Sequence, residues 1–163
     1  MTDGGCQMPA QFQQRFTRPS QAVAHLEPGD FPQRTEKSTV AKVLVVDDES
    51  LIRWSLAETL GAEGYAVTEA EDGQSALQAL SSQPGNIDVV LLDLRLPDCD
   101  DLRVLSAMRR ASPLVPVVLM TAFATPDLLE EARRLGAFTV IDKPFEMQEV
   151  GPLIERALAF AAA

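Results

Sequence analysis

From Ala41 onward the chain alternates short apolar runs with longer amphipathic ones, and that alternation limits the fold more than any other feature of the sequence. The short runs are KVLVV (42–46), YAVTE (65–69), IDVVLL (87–92), PVVLM (116–120) and FTVI (138–141). Three of them are apolar enough to be buried on both faces, as parallel strands covered by helices on either side must be. Between and after them lie LIRWSLAETLGAEG, GQSALQALSSQ, DLRVLSAMRRAS, PDLLEEARRLGA and EMQEVGPLIERALAF, all of helical length. In the first, Leu51, Trp54, Leu56 and Leu60 recur at near-helical spacing, and Gly61 and Gly64 supply stops. The pattern predicts an α/β fold, a (βα)5 doubly wound parallel sheet. In the last helix Gly151 and Pro152 weaken the interior, so it either starts late, with Pro152 in its first turn, or kinks there.

A chain of 163 residues that is 46% hydrophobic has ample material for one core and an appendage. No apolar run approaches the roughly 18 residues of a membrane span, and MTDGGCQMPA lacks the regions of a signal peptide, so a cytoplasmic protein is expected. Cys6 and Cys99 are too few for a disulfide framework and are read as reduced thiols. The net charge of -10 argues against a nucleic-acid backbone as direct partner, because such binding needs Lys and Arg to neutralise phosphates. Residues 1–40 hold four basic and four acidic side chains, so the ten basic and twenty acidic residues of 41–163 carry the whole imbalance. Rich in Gln, Pro, Ser, Thr and Gly and without periodicity, residues 1–40 are expected to be a disordered tail. Phe12 and Phe16, at i and i+4, would there be scattered apolar residues or, less simply, one helical turn for a partner.

In an open α/β sheet the functional crevice lies outside the carboxyl ends of the strands, where the winding reverses. Asp47, Asp48 and Glu49 follow the first strand, Asp93 the third, Thr121 the fourth, and Asp142, Lys143 and Pro144 the fifth. Asp47, Asp48 and Asp93 cannot all stay ionised at close range unless a cation compensates them. Mg2+ suits such a site, since it takes oxygen ligands and commonly uses one or two carboxylates plus a phosphate. An Asp beside that ion can attack phosphorus to form an acyl phosphate, with a Lys stabilising the equatorial oxygens and Thr121 hydrogen-bonding one of them. Taken singly, the acidic triplet reads as a solvated turn, Lys143 as a loop residue and Thr121 as a helix cap ahead of Pro126 and Asp127. Asp93, set between Leu92 and Leu94, is harder to read as surface.

Together, "VVDDE", "LLDLRLP", "LMTA" and "DKPF", each at the end of a strand read independently, resemble the receiver domain of two-component response regulators. The likeness runs from Lys42 to about Phe160, giving a receiver domain over 41–163, and it implies the flavodoxin-like strand order 2-1-3-4-5. It also implies that Asp93 is the phosphoacceptor, that Asp48 binds Mg2+ directly and Asp47 through water, and that the backbone carbonyl of Arg95 is a further ligand. Thr121 resembles the switch hydroxyl and Lys143 the lysine that pairs with the phosphoryl group, behind an expected cis Lys143-Pro144 bond. Glu49 falls outside the pocket, at the start of the first helix near its positive dipole end. The implied partners are a sensor histidine kinase or phosphotransfer domain and a downstream protein, met through the fourth helix, fifth strand and fifth helix, with a homodimer as a further option.

This chain departs from the family pattern at four places. Val140 stands where a switching Tyr or Phe is usual. Phe123 and Arg95, two residues past Thr121 and Asp93, are expected to overhang the site and slow loss of the phosphoryl group. Asp101 stands where Gly is usual, and the last helix carries Gly151 and Pro152. A stand-alone receiver without an output domain after Phe160 is expected, although the motifs also resemble receivers attached to sigma-54 activators. Two other classes compete with the phosphoacceptor: a receiver-like scaffold that no longer uses phosphate, and an Asp-nucleophile phosphatase. The second wants another Asp where Arg95 stands.

Overall fold

The computed structural model describes residues 40–82 and 84–163. The tail expected over 1–40, with Phe12 and Phe16, therefore falls almost wholly outside the described residues. Elements alternate as β1 (Lys42–Val46), α1 (Ser50–Ala62), β2 (Ala66–Ala70), α2 (Gly73–Ser82) and β3 (Val89–Asp93). They continue as α3 (Arg103–Ala111), β4 (Val117–Thr121), α4 (Pro126–Arg134), β5 (Thr139–Asp142) and α5 (Met147–Ala162). The strands form one sheet in the order β2-β1-β3-β4-β5, every neighbouring pair parallel, as the sequence predicts.

The three continuous apolar runs are the interior strands β1, β3 and β4, buried almost throughout, whereas the more polar β2 and β5 form the edges. Strand side chains alternate between faces. Val43, Val45, Leu91, Val118 and Met120 accordingly pack with Leu56 and Leu60 of α1 and Ile154 and Ala157 of α5. Leu44, Val46, Leu92 and Leu119 pack on the other face with Leu77 and Leu80 of α2, Leu105 and Met108 of α3, and Ala132 of α4. Burying one such Leu is worth about 1.5–3 kcal/mol, so the two layers fix the register of each strand and the level at which it ends.

Strands β2 to β5 end one residue later than their hydrophobic runs, so Asp93, Thr121 and Asp142 close their strands instead of following them. Their backbones still join the ladder, Asp93 opposite Met120 and Thr121 opposite Asp142. Of the two glycines expected to stop α1, Gly64 does so at a φ of 94°, while Gly61 lies inside the helix. Helix α5 does not start late. A capping box between Glu146 and Glu149 begins it at Met147 and leaves Pro152 in the interior. Asp101 acts at the start of α3, its Oδ1 accepting from the Arg103 amide at 2.8 Å while Oδ2 pairs with Arg103 Nε at 2.7 Å. Cys99 is not the free thiol expected, and Cys6 lies outside the described residues. Among the described residues no helix is long and apolar enough to cross a membrane.

Candidate phosphoacceptor and metal site

Strand order reverses at β1, whose partners β2 and β3 lie on either side of it, so the crevice opens at the carboxyl ends of β1 and β3. Register then sets the site. Val46 lies opposite Leu92, and the next residue of each strand is Asp47 and Asp93. One ligand oxygen from each of Asp47, Asp48 and Asp93 lies within 4.8 Å of the others. Asp47, Asp93 and Thr121 are buried while Asp48 is exposed, so the cluster has an inner wall and an open side.

Each wall of the pocket is held by identifiable contacts. Asp47 donates its amide to Ala70 O at 3.1 Å, and its Oδ1 accepts from the Glu49 amide at 2.9 Å. Arg53 Nη1 donates to the Asp47 carbonyl at 2.7 Å, and Arg53 Nε lies 3.2 Å from Glu69 Oε1. Glu49 is the exposed N-cap residue of α1, and its side chain is not one of the three clustered carboxylates. Lys143, reached through a cis bond to Pro144, places Nζ 2.7 Å from Asp47 Oδ2 and 3.3 Å from Asp93 Oδ1. Thr121 Oγ1 accepts from the Phe123 amide at 3.2 Å, which keeps the hydroxyl within its own loop. The cap of α4 is Thr125, which accepts from the Leu128 amide with Pro126 at the first helical position, so Thr121 is not needed as a cap.

The electrostatics follow from this crowding. Burial pushes the Asp93 carboxyl up to about 6, the Asp47 charge adds to the rise, and Lys143 and the Arg95 amide pull the other way. Burial pulls the Lys143 ammonium down, but its hydrogen bond to Asp47 and the charges of Asp47 and Asp93 outweigh it and leave it above the usual lysine value. One ammonium thus faces three clustered carboxylates. The oxygen-only donor set and the remaining negative charge fit a hard divalent cation such as Mg2+.

Arg95 and Phe123, two residues past Asp93 and Thr121, are both exposed, with the guanidinium carbon 5.5 Å from the ring centroid, inside the range of a cation–π contact. Sequence reasoning expected both to overhang the site but missed their pairing. It also missed Arg53, whose hold on the Asp47 carbonyl leaves no periodic signal, and Asp98, whose partners are far away in sequence.

A family model described as the response regulator receiver domain matches residues 43–155. The DNA-binding transcriptional regulator NtrC of Escherichia coli (strain K12) is 40% identical over 117 residues, which are 72% of this chain and 24% of that protein. The chain thus spans about a quarter of that regulator's length. Sporulation initiation phosphotransferase F of Bacillus subtilis (strain 168) is 34% identical over 117 residues, 72% of this chain and 93% of the relative. Among solved structures, NtrX from Brucella abortus superposes with a TM-score of 0.69 at 34% identity, over 76% of this chain and 28% of that one. A CheY-like receiver domain protein from Methanospirillum hungatei JF-1 gives 0.72 at 23% identity, covering 76% and 98%, and supports the fold alone. With the match extending from β1 into α5, the chain belongs to the receiver-domain family of two-component response regulators.

Proposed function

We propose that this receiver accepts a phosphoryl group on Asp93 from a phosphohistidine of a sensor kinase or phosphotransfer domain, and that the modified form changes its affinity for a protein partner. The observation that carries the reading is the convergence of buried Asp93 with Asp47, Asp48 and Lys143 at the open edge of the sheet. One Asp93 oxygen attacks phosphorus, the P–N bond breaks with its electron pair going to the imidazole, and an acyl phosphate forms. With its carboxyl near 6, Asp93 is largely ionised above neutral pH and ready to attack.

Asp48, Asp47, Asp93 and the Arg95 carbonyl would hold Mg2+, which when bound supplies charge stabilisation for the transferring phosphoryl oxygens. Lys143, released from Asp47, turns its ammonium toward those oxygens, and Thr121 gives up the Phe123 amide to donate its hydroxyl to one of them. The partner surface is that of α4, β5 and α5, with self-association as an option. Val140, half-buried in β5 without an aromatic ring, alters that output face. No turnover of an external substrate, no direct nucleic-acid contact by this domain and no membrane insertion are expected, and the setting is cytoplasmic. Residues 1–40 are assigned as a tail to a receiver over 41–163.

The long transcriptional regulators among the relatives favour a second reading, in which this receiver serves a larger activator. Incubation with Mg2+ and acetyl phosphate or phosphoramidate tests the chemistry. The expected result is a mass increase of one phosphoryl group that Asp93→Asn abolishes. No adduct on the wild type points to a phosphate-independent scaffold, and turnover of an external phosphoester points to a phosphatase.

A further inference from the structure

Asp98 lies five residues beyond Asp93 and reaches across to a different helix. Its Oδ1 accepts from the Gly73 amide and its Oδ2 from the Gln74 amide, both at 2.9 Å. These are first-turn donors of α2, which have no partner within their own helix. The next donor, Ser75, is served locally by Asp72 Oδ1 at 2.7 Å. Two of the three amides are therefore capped from the phosphoacceptor loop. The approach is close: a Cβ on Gly73 would stand 2.8 Å from Val104 Cγ2 and 3.3 Å from Asp98 Oδ1. Real Cβ atoms do not approach neighbours as near as the first of these distances.

The same loop is anchored on both sides of Arg95. Upstream, the Leu94 amide donates to Met120 O at 2.9 Å. Downstream, Leu96 and Cys99 exchange two backbone bonds, of 3.0 and 3.2 Å, closing a turn with Pro97 and Asp98 at its corner. Arg95 sits between a strand anchor and a turn whose corner is latched to α2.

We infer that Asp98 is a positioning residue of the phosphoacceptor site: by clamping the Leu96–Cys99 turn to the amides of Gly73 and Gln74, it fixes the Arg95 carbonyl toward the cation and couples α2 to cation binding. This rests on the proposed reading of the pocket. A charge-assisted pair of bonds gives the latch direction as well as strength. Groups that orient metal ligands typically cost about 10–100-fold in metal affinity when removed. Coupling is reciprocal, so cation binding must in turn tighten the latch.

The experiment measures Mg2+ affinity by calorimetry and the exchange of individual backbone amides by NMR, with acetyl phosphate labelling of Asp93 as the control. In the wild type, Mg2+ is expected to slow exchange of the Gly73 and Gln74 amides. Asp98→Ala should weaken Mg2+ about tenfold. Asp98→Asn, which keeps one acceptor, should fall between, and Gly73→Ala should act like Asp98→Ala by forcing α2 away from Val104. If Asp98→Ala does not fold, the wild-type exchange and Gly73→Ala carry the test. A lowered melting temperature with unchanged Mg2+ affinity, or wild-type Gly73 and Gln74 amides indifferent to Mg2+, reduces Asp98 to a helix cap and overturns the inference. A wild type that takes up neither Mg2+ nor phosphoryl overturns the pocket's reading itself, a result distinct from failure of the latch alone.

Discussion

Lys143 Nζ is hydrogen-bonded to Asp47 Oδ2 at 2.7 Å, closer than it stands to Asp93, so the ammonium is committed first to the wall of the pocket and only second to the phosphoacceptor. Asp47 is fully buried, and an unpaired carboxylate there would be costly. Lys143 thus neutralises the residue that cannot reach water and only partly offsets the burial, and the Asp47 charge, that raise the Asp93 carboxyl.

A pH signature follows in Mg2+-free buffer. The Asp93 carboxyl moves from 3.8 to about 6 on folding, so between those values the folded chain holds a proton that the unfolded chain has lost. Stability therefore falls as pH rises through that window, by up to about 3 kcal/mol from this group. Asp93→Asn should remove the fall. Its melting temperature should exceed that of the wild type at pH 7.5 and approach it at pH 4, and added Mg2+ should stabilise the wild type but not the variant. Equal pH dependence in the two proteins would contradict this account.

Removing the ammonium should have the opposite sign. Lys143→Met leaves two adjacent buried carboxylates facing each other, at a cost of about 3 kcal/mol. The Asp93 carboxyl should then titrate well above its wild-type position, as followed by carboxyl 13C NMR. Mg2+ should recover part of the lost stability because it replaces the missing positive charge. Phosphoryl transfer should stay slow even with Mg2+ saturating, since the group that turns toward the phosphoryl oxygens is gone.

Arg95, two residues past Asp93, lies over the ring of Phe123, two residues past Thr121, with its guanidinium carbon 5.5 Å from the ring centroid. Phe123 is 65% exposed, so its apolar ring is not held there by burial in the core. Bulk at these two positions is expected to obstruct the path by which water would attack an acyl phosphate on Asp93. Phe123→Ala and Arg95→Asn are each expected to speed phosphate loss about tenfold, equivalent to about 1.4 kcal/mol of barrier. Following decay of the phosphorylated mass after donor removal measures it, and unchanged decay in both variants would end the idea.

The fold was legible because its signal is a repeated one. Runs such as KVLVV are buried whatever the detail of the helices around them, and a parallel sheet follows from several such runs. The strand ends were misplaced by one residue because hydrophobicity stops before backbone pairing does: Asp93 and Thr121 stay in the ladder through groups that every residue carries. The pocket's members were legible from four motifs at strand ends. Their mutual contacts were not, since Lys143 meets Asp47 across 96 positions and Asp98 meets Gln74 across 24, separations that no local period encodes. Sequence proximity also offered Thr121 as the cap of α4, and only the Oγ1 contact of Thr125 with the Leu128 amide identifies the cap.

Helix α5 supplies a test of stability far from the chemistry. Pro152 inside the helix removes one backbone donor, and Gly151 beside it adds conformational freedom to the unfolded chain. Beyond its chain neighbours and its own helix, a Cβ at Gly151 would meet the Glu63 carboxylate, with Oε1 at 2.7 Å. Glu63 is exposed at the end of α1, so its flexible carboxylate can swing into solvent. Gly151→Ala gains the helix preference of Ala over Gly, about 0.5–1 kcal/mol, but its new Cβ crowds the Cδ of Pro152 in helical backbone and offsets that gain, so the melting temperature should move by less than about 2 °C. Gly73→Ala, whose Cβ would meet the buried Val104 at 2.8 Å, should lower it. Thermal melts of both variants decide the matter, and a Gly151→Ala loss as large as that of Gly73→Ala would contradict this account of an open site at Gly151.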